Sequence, residues 1–177
     1  MGLYCLSFWL PQIIHKLGWT GDLKIGLLSA APWSVAVVFM LFWGARSDKR
    51  QERRFHCAFA GLLAALGFAL CGFFPSGFIG LAAISLAAAG VMGMMAVQWS
   101  LPGSLLSGTA AAAGIALVNS FGNLGGFVSP VLIGKIKTAT GNESWGLFMT
   151  AAILLFAAIL LSNSPALEPG RRKETKS

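Results

Sequence analysis

The sequence predicts an all-α, polytopic membrane protein built around six helices. Three observations predict it. The 177-residue chain is 56% hydrophobic and only 11% charged. Its apolar residues fall into six long runs: Gly2–Ile14, Leu23–Trp43, Phe55–Phe74, Phe78–Leu106, Thr109–Ile133 and Trp145–Leu161. Every acidic residue, Asp22, Asp48, Glu52, Glu143, Glu168 and Glu174, lies in a connection or the tail. A transmembrane helix needs about 20 apolar residues at about 1.5 Å rise each.

The first run is short. Its residues before His15 and Lys16 make a helix of only about 20 Å, and no basic start or clean cleavage site marks it as a signal peptide. It reads as a helix cut by the chain start, with the rest in a longer parent protein. The second, third and fifth runs reach spanning length directly. The fourth is longer, and Pro102 is expected to kink it near one end. The sixth is completed at the interface by Ser162 and Asn163. Residues 164–177, polar and proline-bearing, read as a disordered tail.

Basic residues set the expected orientation. The formal charge is +7, which on a soluble domain would point to nucleic acid. Here the charges are divided by the spans. Arg46, Lys49, Arg50, Arg53 and Arg54 follow the second run, and Arg171, Arg172, Lys173 and Lys176 lie in the tail. The opposite side has Lys16, Lys24, Lys135 and Lys137. Nine against four places the tail in the cytoplasm by the positive-inside rule. No nucleic-acid role is expected, since basic loops are the ordinary topology signal.

Candidate chemistry is neutral. Cys5, Cys57 and Cys71 are odd in number and scattered, so no disulfide framework or metal spacing is expected. His15 and His56 fall near span ends and read as interfacial. No hydrolytic set lies within the spans, so no enzyme is expected. No acid or base sits at mid-membrane, so a proton relay cannot come from the middle of these helices. The polar residues left there include Tyr4, Gln98, Asn119 and Asn123, with Trp99.

The fifth run concentrates them. At 3.6 residues per turn Asn119, Gly122, Asn123, Gly126 and Pro130 share one face. Small residues let helix backbones approach, and amides in hydrocarbon need partners. Asn123, set among glycines, reads as an interhelical hydrogen-bonding residue, and Asn119 as a cavity residue. Gln98 and Trp99 precede Pro102. On span length alone they read equally as a polar site at a broken helix or as an interfacial belt.

Three stretches carry a resemblance: GLYCLSFWLPQII, WGARSDKRQERRFH and LSGTAAAAGIALVNSFGNLGGFVSPVLIG. The chain resembles the carboxy-terminal half of major facilitator superfamily transporters, in the anion:cation symporter group that includes permeases for tartrate, phthalate, 4-hydroxyphenylacetate and sugar acids such as galactonate. The resemblance covers nearly the whole chain. It implies helices seven to twelve of a twelve-helix fold, the seventh truncated, with an amino-terminal six-helix half as missing partner. Residues 44–54 look like the superfamily's cytoplasmic loop motif, with one extra residue before the arginine pair and Glu52 where glycine is usual. Gly44, Asp48, Arg53 and Arg54 are the implied gating residues, Asp48 being placed to face a helix amino terminus. Lys49 and Arg50 read equally as topology anchors.

The resemblance also implies that Trp99 and Asn119 line a midplane cavity beside Gln98; Tyr4 and Asn123, as polar residues of the spans, join them as candidate substrate-binding residues. The implied activity is proton-coupled symport of a small organic anion in the bacterial inner membrane. No cofactor beyond the proton gradient is expected. The alternative is a non-transporting bundle that associates with a full-length transporter through the Gly122 and Gly126 surface.

Overall fold

The computed structural model describes residues 1–101, 108–142 and 144–164. Among these residues it is all-helical: α1 (Gly2–Lys16), α2 (Asp22–Arg50), α3 (Arg54–Phe73), α4 (Gly77–Gln98), α5 (Gly108–Thr140) and α6 (Ser144–Ser162). Each helix sits on one of the six apolar runs. Five are long and apolar enough to cross a membrane, whereas the 15 residues of α1 reach only about 22 Å. The protein is therefore a multi-pass membrane protein.

Two helices run on past their apolar runs, each for a physical reason. Hydropathy falls at Trp43, yet α2 runs on to Arg50 because Ala, Arg and Lys favour helix in or out of a bilayer. Gln51, with φ 52, ends it in a left-handed cap. Gly44 and Asp48, expected in a loop, are thus helical, and only residues 51–53 connect α2 to α3. α5 likewise continues past Ile133 through the lysine-bearing segment to Thr140, and Gly141, with φ 67, stops it. α4 ends at Gln98 with Trp99 as its cap, and Ser100 and Leu101 are again helical. The expected kink at Pro102, Glu143, and the tail from Pro165 onward lie outside the described residues.

α3 is the best-covered helix, packed between α4 and α6, while α2 lies along α4. The α3–α4 contact is made backbone to backbone. A Cβ added at Gly67 would lie 2.7 Å from Ala87 Cα, and one at Gly90 would lie 2.7 Å from Ala64 Cα. Side chains larger than hydrogen cannot enter that seam, which is how small residues drive helix association where no water is expelled. α1 buries Cys5, Leu6, Leu10, Ile13 and Ile14 against Phe68, Ile84 and Leu154. α2 and α5 leave long apolar faces exposed, including Val38, Leu41, Leu117 and Phe127.

The two ends of the bundle are distinct. At one, the Gly77 N–H donates to Leu17 O at 2.8 Å, and Trp19 meets Phe78 edge-on at 5.1 Å. At the other, the α2–α3 connection reaches the ends of α4 and α6 through its arginines.

Candidate substrate cavity and polar latch

α1, α4, α5 and α6 enclose a cavity of about 310 Å³. All five sequence-predicted site residues line it: Tyr4 from α1, Gln98 and Trp99 from the end of α4, and Asn119 and Asn123 from α5. Gly122 lies between the two amides on the same helical face, as a spacing of three and four residues requires. Val91, Met94, Met95 and Leu154 supply an apolar floor. No charged side chain is among the lining residues.

Asn123 has a double part. The Tyr4 hydroxyl donates to Asn123 Oδ1 at 2.9 Å, a bond between α1 and α5 that uses the amide's acceptor and leaves its NH₂ to turn elsewhere. The tyrosine reaches this position because its ring lies directly on Gly126, where an added Cβ would sit 2.8 Å from Tyr4 Cε1. The expectation of an interhelical role for Asn123 therefore holds in geometry, and the same residue lines the cavity. The glycine face behaves differently from expectation. Gly126 receives a ring rather than a helix backbone, and Gly122 has nothing within 4 Å.

At the opposite end of α4 from Gly77, a polar latch ties four helices. Asp48 Oδ1 lies 3.7 Å from Arg53 Nη2, and Arg53 Nη1 donates to Ser100 O at 2.6 Å. Arg54 donates from Nε to Ser162 O at 2.9 Å and also from Nη2, capping the carbonyl end of α6. Cations belong at that negative end of a helix dipole. Gly44 faces Ala96 Cβ across ordinary contact distance, 3.7 Å from where its own Cβ would be.

Among the described residues Asp48 pairs with Arg53, and Glu52 is the acid that meets the amino terminus of α3. Glu52 Oε1 accepts from the Phe55 N–H at 2.7 Å, and Oε2 lies 2.5 Å from His56 Nδ1. Trp43 Nε1 donates to His56 O at 2.9 Å, and its ring packs 5.0 Å from the imidazole. Glu52 and His56 are latch residues that sequence reasoning passed over. Their signal was an acid and a histidine four apart at the start of α3, the spacing that brings side chains together on one helical face.

Among the described residues no group of His, Cys, Asp or Glu is arranged to hold a metal ion.

The family model described as Major Facilitator Superfamily matches residues 1–177. The chain belongs to this superfamily. It is 45% identical over 159 residues to a protein of Agrobacterium vitis named "Putative tartrate transporter", covering 90% of this chain and 35% of the relative. It is 40% identical over 160 residues to the "Quinolone resistance transporter" of Acinetobacter baumannii, covering 90% and 37%. It is 35% identical over 162 residues to the "Inner membrane transport protein RhmT" of Escherichia coli K12, covering 91% and 38%. The chain thus spans little more than a third of the length of these relatives. No solved structure matches it. The six helices among the described residues fit one six-helix half of the superfamily's twelve-helix fold.

Proposed function

We propose that these six helices are the carboxy-terminal half of a secondary-active, proton-coupled symporter for small organic anions. The observation that carries this reading is the cavity: Tyr4, Gln98, Trp99, Asn119 and Asn123 around one apolar floor, with no charged side chain. Amide NH₂ groups and an indole N–H are donors without charge. Donor-rich and without a charged side chain, this wall suits carboxylate and hydroxyl oxygens, each hydrogen bond to a charged group contributing about 1.5–3 kcal/mol. The relative named for tartrate is in keeping with such a ligand.

The cation that neutralises the anion and the carboxylate that carries the proton belong, in this reading, to the amino-terminal half. The latch holds the ends of α2, α3, α4 and α6 together while the halves rock about the midplane site. The basic clusters face the cytoplasm of a bacterial cell and the tail lies on that side. The alternative, a non-transporting bundle that associates with a full-length transporter, has less support, because Tyr4 covers Gly126 and leaves Gly122 as the open part of its surface.

The test is uptake of tartrate, phthalate and galactonate into proteoliposomes by the six helices joined to an amino-terminal half. Uptake should require a proton gradient, and Trp99→Ala and Asn119→Ala should each lower it about tenfold, the loss of one hydrogen bond to a charged group. Unchanged uptake in both variants would return these residues to packing roles.

A further inference from the structure

The wall of the candidate cavity is uneven. Along α4, Val91, Met94, Met95 and Gln98 fall at helical spacing on one face, and only the last of them is polar. α6 adds Ile153, Leu154 and Ala157. Polar side chains come from Tyr4, whose hydroxyl is engaged by Asn123, from the end of α4, and from α5. On α5 the amides Asn119 and Asn123 stand one turn, about 6 Å, apart.

Gly122 lies between those amides on the cavity face. Glycine weakens a helix relative to alanine, so its presence asks for a reason. A close neighbour accounts for others in the bundle: a backbone at Gly67 and Gly90, and a ring at Gly72, Gly93 and Gly126. No neighbour accounts for Gly122, since a Cβ built there meets nothing within 4 Å. What lies over it is the cavity itself. Its bare backbone leaves a flat stretch of α5 between two amides.

We propose that the cavity selects an anion with a flat, apolar body, an aromatic carboxylate whose ring lies over Gly122, and that Gly122 sets the size of body admitted. The proposal rests on the anion-site reading above. A ring gains from burial against Val91 and Leu154 and from the thioethers of Met94 and Met95, which pack favourably on aromatic groups. Trp99 is 41% exposed, so packing within the bundle leaves part of its ring surface open to such a ligand. A polyhydroxy anion is served worse. Hydroxyls along its whole length would meet Met, Val and Leu side chains, and a polar group buried without a partner is unfavourable. The volume agrees: about 310 Å³ is at the small end of the range for ligand pockets, about 300–1,000 Å³, and suits a single ring.

Phthalate and tartrate make the test, because both are dicarboxylates and only the body between the carboxylates differs. The six helices joined to an amino-terminal half are placed in phosphatidylcholine nanodiscs, and the affinity for each anion is measured by titration calorimetry. Phthalate should bind at least about tenfold more tightly than tartrate. Gly122→Leu extends a side chain into the space over α5. It should weaken phthalate at least about tenfold and tartrate by less, erasing the preference, while thermal unfolding stays at or above the wild-type temperature. Gly134→Leu is the control. A Cβ there also meets nothing within 4 Å, on the same helix but outside the cavity, so both affinities should be unchanged. Equal affinities, tighter binding of tartrate, or an equal loss for both anions in Gly122→Leu would overturn the proposal and leave the anion site standing. Binding of neither anion would overturn the anion-site reading together with it.

Discussion

Replacing Gly126 by alanine should destabilise the bundle through Tyr4 and through nothing else. The added methyl would sit 2.8 Å from Tyr4 Cε1, well inside ordinary contact distance. The ring is wedged between α1 and α5, stacked on Phe8 at 6.4 Å and anchored by its hydroxyl to Asn123. It has to move, and moving breaks that bond. Overpacking costs about 1–3 kcal/mol, and an interhelical hydrogen bond in a membrane protein about 0.6 kcal/mol. The assay is a four-variant cycle of unfolding free energies in mixed detergent: wild type, Gly126→Ala, Tyr4→Ala and the double variant. The three atoms nearest the methyl all belong to the ring, so removing the ring removes the clash. Gly126→Ala should therefore cost about 1–3 kcal/mol with Tyr4 present and close to nothing in the Tyr4→Ala background, a coupling of the same size. Equal costs in both backgrounds would refute the reasoning, because the strain would then lie somewhere other than the ring.

Other glycines should separate by what stands opposite them. Gly90→Ala drives a Cβ to 2.7 Å from both Ala64 Cα and Ala60 O, backbone atoms that cannot rotate away, so its loss in thermal stability should exceed that of Gly126→Ala. Gly122→Ala meets nothing within 4 Å and should stabilise by up to about 1 kcal/mol through helix propensity alone. In the latch, Arg54→Gln removes the charged donor to the α6 carbonyl end, and amide hydrogen exchange in the last turn of α6 should speed up several-fold. Exchange at wild-type rates there would show that the arginine does not hold that helix.

The cavity was more legible than the packing around it. Charge-free spans left few polar side chains to place, and helical periodicity alone puts Asn119 and Asn123 on one face. That Tyr4 would bond Asn123 was beyond reach, because the two lie 119 positions apart and nothing local pairs them. The backbone-to-backbone helix contact was beyond reach for a similar reason. Glycine and alanine are spread through α3, α4 and α5, and composition cannot tell which small residues face a backbone. Gly67 and Gly90 do, while Gly122 faces open space. The end of α2 was misjudged because hydropathy reports where a bilayer stops, whereas helix propensity decides where a helix stops. Glu52 and His56 carry no motif of their own, and their pairing emerges only once the chain turns at Gln51 into α3.

The central claim is that the cavity between α1, α4 and α5 holds the transported anion. Its most direct measurement is ligand protection of a cysteine placed there, in the six helices joined to an amino-terminal half. Val118 lines the cavity, while Val131 is exposed farther along α5 and does not. The native Cys5, Cys57 and Cys71 are at most 1% exposed, so they give little background with maleimide. Tartrate, phthalate or galactonate should slow labelling of Val118→Cys in a saturable way and leave Val131→Cys unaffected. Identical labelling of Val118→Cys with and without every one of these anions would contradict the account.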